Sequence, residues 1–349
     1  VIKKVLAIET SCDDTSVAVV DSSLRVLCLQ NLNQNNLHEI YGGIVPELAS
    51  RSHTETLLPL IDHTLKKANL KLTEIEGIAV TSRPGLIGSL MVGVVTAKSL
   101  SQILGIPLIG VNHLEGHLLA PFLHDETYHP AFSLEEPFVA LAVSGGHSSL
   151  YLVTGLGKYE VLGRTLDDAA GEAFDKFGKM LGLGFPGGPQ IDLKAAKGRV
   201  GQYLFPKAMM EVGNLNFSFS GLKSAAQRLV SSGIDISEPQ NLADLCAGFQ
   251  EAVVDVLIYK LKEAVKKTDV RSAVITGGVS ANSVLRSAAE NWAQKEGIQL
   301  MIPPNRYCTD NAAMIGAAGI LKLLRGERDD LNLRPFPNSL PSDFVGRNK

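Results

Sequence analysis

Cysteine, tryptophan and surplus charge are all scarce in this chain. Its four cysteines, Cys12, Cys28, Cys246 and Cys308, form no Cys-x-x-Cys pair across 349 residues. That excludes a disulfide scaffold or a zinc ribbon and fits reduced thiols in a cytosolic protein. Thirty-three basic residues face 36 acidic ones, for a net charge of −3. No global positive field draws a polyanion, so a nucleic acid must be met by a local patch or through a partner. Lysines cluster at Lys66-Lys67 and along Lys260, Lys262, Lys266 and Lys267, which reads as solvated helix faces. The first apolar run, residues 5–8, ends at Glu9 and is too short for a secretory signal. No stretch reads as a membrane span, so a cytoplasmic protein without a membrane partner is expected. The chain begins at Val1, which leaves a trimmed leader open.

What is present suits a packed α/β enzyme: 45% hydrophobic residues and 33 glycines in a length sufficient for two domains. Two regions begin alike. Residues 4–8, 16–20 and 24–29 read as an antiparallel meander, and so do 138–143, 148–153 and 159–162. Helices and strands then alternate after each trio. The first half predicts a helix over 52–67, a strand over 77–81, a helix over 88–104 and a strand over 108–111. The second predicts a helix over 242–267, a strand over 272–276, a helix over 283–296 and a strand over 299–302. The pattern implies an internal duplication, with domains at 1–125 and 137–309. The apolar helix 310–325 is expected to complete the first domain. Residues 326–349, charged and broken by prolines, read as a tail outside the core.

Chemistry concentrates in a few segments. His113 and His117 lie four apart at the start of a helical pattern, so both imidazoles share one face. With Asp310 as third ligand they suit a transition metal. The alternative is a helix-capping Asp310 and two ordinary histidines. Glu115 falls at i+2 and points away, so this is not the His-Glu-x-x-His protease arrangement. Ser144-Gly145-Gly146 follows a strand, and its glycines permit positive φ and close approach of an anion. Gly277-Gly278 stands between a strand and a helix, a turn that suits a nucleotide, with Asn282 as helix cap or ligand. Asp168, Glu172 and Asp175 are spaced to share a helix face, and Asp192 reads as the start of the next helix. The segment 217–223 reads as a serine-capped helix start carrying Lys223.

Taken in order, residues 9–15 (ETSCDDT), 42–51 (GGIVPELASR), 113–117, 143–147, 167–176, 186–189 (PGGP), 217–223, 277–282 and 308–311 (CTDN) resemble one family. It is the tRNA N6-adenosine threonylcarbamoyltransferases of the TsaD type, formerly labelled sialoglycoprotein endopeptidases. The resemblance covers about residues 4–324. It implies two duplicated RNase H-like domains of the actin/Hsp70/sugar-kinase superfamily with a central cleft. It implies one iron or zinc ion on His113, His117 and Asp310. It also implies threonylcarbamoyl-AMP or a related adenylate held by Ala142, Val143, Ser144, Gly145, Gly146, Asp175, Gly188, Asp192 and Asn282, to which the glycine reading adds Gly277 and Gly278. The implied reaction transfers the threonylcarbamoyl group to N6 of adenosine 37 of tRNA. The implied partners are tRNA, an inactive TsaB-type paralogue, a TsaE-type ATPase and a second copy of the chain. No general base is assigned; Glu9, Asp13 and Glu115 are the candidates.

Three positions depart from the family pattern. Arg83 stands where a glycine is usual, and is expected to place a new charge beside RNA. Asn112 stands for a histidine and Asp14 for a glutamate. The competing readings are an ATP-dependent kinase or ATPase of the same superfamily, which would use oxygen ligands to Mg²⁺, and a catalytically silent scaffold.

Overall fold

The computed structural model describes residues 2–39, 41 and 43–338. The first glycine of the 42–51 motif and the end of the expected tail, 339–349, lie outside the described residues. In chain order the elements are β1 (Lys4–Glu9), β2 (Thr15–Asp21), β3 (Val26–Leu32), α1 (Asn35–Glu39), α2 (Pro46–Lys67), β4 (Gly77–Arg83), α3 (Ile87–Leu104), β5 (Leu108–Asn112) and α4 (His113–Leu119). There follow β6 (Phe138–Val143), β7 (Ser148–Gly155), β8 (Lys158–Arg164), α5 (Ala170–Met180), α6 (Gly187–Ala195), α7 (Ser220–Ser231) and α8 (Pro239–Thr268). The chain closes with β9 (Ser272–Thr276), α9 (Ser283–Glu296), β10 (Gln299–Met301), α10 (Asn305–Cys308) and α11 (Ala312–Leu324). Two compact units result. One runs to Ser133 and resumes at Thr309; the other is Leu134–Cys308.

Each unit holds one five-stranded sheet, and the two share a plan. The first has the order β3-β2-β1-β4-β5 and the second β8-β7-β6-β9-β10. In both, an antiparallel meander is extended by two parallel strands. The central strands are apolar runs because both their faces are covered. Val5, Leu6, Ala7 and Ile8 of β1 have no exposed surface. Helix α11 packs on β1, β2 and β4 of the first sheet. Its Gly319 is needed there, since a Cβ would lie 2.3 Å from the Cβ of Ala79.

Helices α2 and α8 start earlier than their hydrophobic periodicity suggests. Each begins at a proline, Pro46 and Pro239, whose fixed φ suits the first helical turn. Helix α3 corrects the membrane reading. It has 18 residues with a mean hydropathy of 1.4, long and apolar enough to cross a membrane by length and composition. It packs here against β4 and α2 as a helix of the first unit.

The stretch after Arg325 is not a tail throughout. Leu333 is buried in the first unit's core. Asp329 pairs with β5 through its own N–H to the Leu108 carbonyl (2.8 Å) and by accepting from Gly110 N–H (2.8 Å). Strand β5 is the edge of its sheet, and its unpaired backbone groups are what this strap satisfies. Farther on, Phe336 N–H donates to the Ser82 carbonyl, and the guanidinium of Arg83 lies 5.0 Å over the Phe336 ring. Arg83 is therefore engaged by the strap in a cation–π contact. The lysine run on α8 needs a correction. Lys260 is fully buried, and its ammonium donates to the carbonyls of Met209 and Asn214.

Candidate functional site

In the first unit, three parallel strands deliver polar groups at their carboxyl ends. Glu9 closes β1, Thr81 lies near the end of β4, and His113 follows β5 directly. Helix α4 is started by Asn112, whose side chain accepts from Leu114 N–H at 2.9 Å. The departure from histidine at 112 thus supplies a helix cap. Four residues on, His117 joins His113 on one face, with ring centroids 4.7 Å apart.

Asp310 comes from the distant segment ahead of α11. That helix is capped by Asn311, which accepts from Met314 N–H. The capping alternative for Asp310 is thereby removed. Asp310 Oδ1 lies 3.3 Å from His113 Nε2 and 3.1 Å from His117 Nε2. One ligand atom from each of the three residues falls within 4.8 Å of the others. Two imidazoles and a carboxylate converging on one point form a donor set that suits zinc or ferrous iron and leaves further positions for water or substrate.

The electrostatics are tightly coupled. Burial works against a charged His113, but Asp310 and Glu9 outweigh it and hold the imidazole well above its ordinary range. Burial would raise Asp310 and Glu9; the facing His113 holds both below the usual carboxylate range. Burial dominates at His117 and lowers it.

The general-base candidates separate. Glu9 is buried and its oxygens accept from Ser11 N–H, the Thr81 hydroxyl and His113. Glu115 is buried and forms an ion pair with Lys322 of α11 at 2.8 Å, so it braces α4 on α11. Asp13 stays on the half-buried turn between β1 and β2. Beside it, Asp14 is pushed up to about 8 by burial, then by the charges of Asp13, Asp310 and Glu9. In the sequence Asp14 stands out only as a departure from glutamate. Ser11 and Thr81 are partners of Glu9 that only the structure shows, since their residue types carry no signal for that role.

The second unit gathers the expected nucleotide residues. Strands β6 and β9 are parallel neighbours, so the turns after them lie side by side at the carboxyl end of the sheet. The first turn is closed by Ser144 N–H to the His147 carbonyl at 2.8 Å. Gly145 and Gly146 are exposed, and a Cβ on either would meet nothing within 4 Å. Neither has positive φ, which corrects the expected reason for glycine here. Open space in front of the backbone is what they provide.

Gly277 is different. Its φ is +90°, and a Cβ would lie 2.3 Å from the Val143 carbonyl oxygen, so it shapes the turn itself. Gly278 again faces open space. Ala142 and Val143 are buried and paired within the sheet, beneath the turn.

The remaining residues tie helices to this edge. Asp175 accepts from Gly187 N–H at the start of α6, and a Cβ on Gly188 next to it would make only an ordinary contact with the Phe174 Cβ at 3.9 Å. Asp192 lies inside α6, not at its start, and accepts from the hydroxyl and N–H of Ser283. Asn282 caps α9 through Leu285 N–H and donates to Gln250. The acidic face expected on α5 is divided: Asp168 precedes the helix, and Lys176 bridges it to Glu172 at 2.7 and 2.9 Å. No serine caps α7. Asp167 does so from afar, accepting from the N–H groups of Phe219 and Ser220 and from the hydroxyls of Ser218 and Ser220. Lys223 is exposed on its first turn.

Comparison with known proteins adds three findings. Residues 25–317 match the family model TsaD, described as tRNA N6-adenosine threonylcarbamoyltransferase. A protein of that name from Bdellovibrio bacteriovorus is 56% identical over 344 residues, 98% of this chain and 99% of the relative. Another from Anaeromyxobacter dehalogenans is 50% identical over 335 residues, 95% of this chain and 98% of the relative. Among solved structures, component A of the (R)-2-hydroxyglutaryl-CoA dehydratase of Acidaminococcus fermentans superposes with a TM-score of 0.54 at 15% identity. It covers 92% of this chain and 99% of its own. That likeness concerns the fold, and with the duplicated sheets it supports a two-domain α/β architecture.

Proposed function

This chain belongs to the tRNA N6-adenosine threonylcarbamoyltransferase family, and from that premise we propose that it transfers the threonylcarbamoyl group of threonylcarbamoyl-AMP to N6 of adenosine 37 in tRNA. The observation that carries the reading is the 56% identity over nearly the full length of a relative bearing that name. In the transfer, the bond from adenine N6 to the carbamoyl carbon forms, the carbon–oxygen bond to phosphate breaks, AMP leaves, and N6 loses a proton.

His113, His117 and Asp310 would hold one iron or zinc ion, which when bound supplies Lewis acidity to a carbonyl oxygen. The nitrogen-rich donor set disfavours an ATP-dependent kinase, which would use oxygen ligands to Mg²⁺. Exposed Gly145 and Gly146, with half-buried Gly278, let a phosphate approach the backbone closely, where peptide dipoles favour an anion. With Glu9 and Glu115 both committed, Asp13 is the candidate left to take the amine proton. The adenine amine is a weak nucleophile, so fixed positioning of both reactants supplies much of the rate.

The net charge of −3 gives little long-range pull on tRNA, so RNA binding is shared with a partner. We assign that role to an inactive TsaB-type paralogue, with a TsaE-type ATPase or a second copy of this chain as further members. Ile87, Met91 and Val95 support a docking face. They repeat every four residues along α3, each about half exposed, and Leu58 is exposed on the adjoining α2. The location of the work is the cytoplasm, where tRNA resides.

The decisive experiment follows labelled threonine from its adenylate into tRNA with the partner set added. Label retained in tRNA and absent from a transcript lacking adenosine 37 is the expected outcome. Label found only as free threonine would overturn the assignment.

The coupled charges predict a proton stoichiometry for metal binding. In the metal-free chain Asp310 and Glu9 keep the His113 imidazole charged to higher pH than usual, while burial favours the neutral form of His117. Binding at Nε2 must displace the His113 proton. At pH 7, calorimetry in buffers of different ionisation enthalpy should report release of about one proton per metal ion. Release should vanish as pH rises past the raised His113 range. A buffer-independent enthalpy at pH 7 would contradict this.

Linkage fixes the sign for stability as well. His113 contributes fully below its ordinary range and loses that contribution as pH rises through its raised one. Asp310 and Glu9 contribute above the ordinary carboxylate range and lose it as pH falls through their lowered ones. The triad's contribution to the metal-free fold is therefore full between roughly pH 4.5 and 6.5.

A further inference from the structure

Glu9 is an unusual residue to find at the end of β1. The four residues before it are wholly buried and apolar, and Glu9 itself is only 1% exposed. A carboxylate there has lost its water and must be repaid by hydrogen bonds. Three donors supply them. Ser11 N–H reaches Oε1 at 2.5 Å, the Thr81 hydroxyl reaches Oε2 at 2.5 Å, and His113 Nδ1 lies 2.9 Å from Oε2. The Ser11 hydroxyl adds a second contact to the same imidazole nitrogen at 3.3 Å.

Two of these donors come from neighbouring strands or turns with fixed backbone positions. Thr81 sits on β4, hydrogen-bonded directly beside β1, and Ser11 is two residues along the same turn. The carboxylate is thus oriented before His113 meets it. An imidazole with one proton places that proton on the nitrogen facing a carboxylate. Both His113 nitrogens face a carboxylate, but the closer contact is Nδ1 to Glu9 Oε2 at 2.9 Å, and a metal shared with Asp310 requires a bare Nε2, so the proton stands on Nδ1 and the lone pair on Nε2. Nε2 is the nitrogen turned toward Asp310 Oδ1, at 3.3 Å. The opposite tautomer would set a lone pair against the Glu9 carboxylate and a proton in the metal position.

We infer that Glu9, oriented by Thr81 and Ser11, is a positioning residue that fixes His113 as the Nδ1-protonated tautomer and thereby sets the metal affinity of His113, His117 and Asp310. This rests on the metal reading given above. It replaces general-base catalysis as the role of Glu9, since a base must reach substrate and this carboxylate is enclosed. It also explains why a threonine stands at position 81, where a packed apolar strand would accept valine equally well. Partners behind a metal-bound histidine raise the basicity of the ligating nitrogen, and their loss lowers metal affinity by about 10–100-fold.

The test measures zinc affinity by competition with a chromophoric chelator for the full-length native chain and for Glu9→Gln, Thr81→Val and Asp310→Ala. Glu9→Gln should bind about 10–100-fold more weakly. Thr81→Val, which removes only a donor to Glu9, should show a smaller loss of more than about twofold. In parallel, long-range ¹H–¹⁵N correlation spectra of the zinc-loaded native chain should show His113 protonated on Nδ1 and metal-bound through Nε2. A purely structural Glu9 would move neither the tautomer nor, in the folded Thr81→Val chain, the affinity. Glu9→Gln or Thr81→Val binding zinc within about twofold of native, or zinc on Nδ1, overturns the inference. Should Glu9→Gln not fold, the tautomer and Thr81→Val decide. Native-like binding by Asp310→Ala would instead bring down the metal reading itself, so the two failures are distinct.

Discussion

Replacing His117 with alanine is expected to remove stoichiometric metal from the chain while leaving it folded, and replacing His113 is expected to remove the metal and destabilise the fold as well. Both substitutions delete one of three converging ligands, and two remaining donors bind a divalent ion far more weakly than three. The histidines differ in what they leave behind. His113 is the cationic partner of two carboxylates, Glu9 and Asp310. Without it, Glu9 keeps only the neutral donors Ser11 and Thr81 in an enclosed site. Removing one member of a buried charged pair typically costs about 3–5 kcal/mol. His117 is held neutral by burial, and its loss orphans no charge. Metal content by mass spectrometry and urea unfolding of the metal-free chains measure the two effects. A full metal ion retained in His117→Ala would end the ligand assignment. Equal stability of the two variants would end the argument about Glu9.

A comparable contrast is expected between the glycines of the second unit. Gly277→Ala should destabilise the chain by about 2–4 kcal/mol, because φ is in a region that side chains avoid and the new Cβ would press on the Val143 carbonyl. Gly146→Val should leave stability within about 0.5 kcal/mol, since the added atoms enter open space at an exposed turn. That open space is where the phosphate of the adenylate is proposed to approach. Gly146→Val should therefore weaken adenylate binding by about 100-fold or more, the equivalent of losing two or three hydrogen bonds to a charged group. Urea midpoints and titration calorimetry separate the outcomes. Unchanged adenylate affinity in Gly146→Val would move the nucleotide site away from this turn, and a fully stable Gly277→Ala would show that the turn can relax.

Much of the scaffold could be read directly from the residues. The strand Ser272–Thr276 and the helix Ser283–Glu296 have the predicted limits, because a continuous apolar run and an Asn cap with a closing glycine are local signals. The shared plan of the two sheets was likewise visible as a repeated order of meander, helix and strand. Where prediction slipped, a local signal was outweighed or overlooked. Prolines set the starts of α2 and α8 ahead of the hydrophobic period. The charged segment after Arg325 covers an edge strand, a need that its own composition does not announce.

The sequence by itself determined the fold class, the family and the pairing of His113 with His117, since helix periodicity alone brings residues i and i+4 together. Only the tertiary structure decided what each polar group does. Asp310 meets the histidines from 193 residues away because α11 packs beside α4 on the first unit's sheet. Glu9, Glu115 and Asp13 looked alike as carboxylates near a site. Parallel strand packing encloses the first between Thr81 and His113, and helix packing turns the second to Lys322. Gly146 and Gly277 looked alike as halves of two Gly-Gly turns. The parallel pairing of β6 and β9 presses one against a carbonyl oxygen and leaves the other before open space. Roles of this kind depend on distances between segments far apart in the chain, and no spacing along it encodes them.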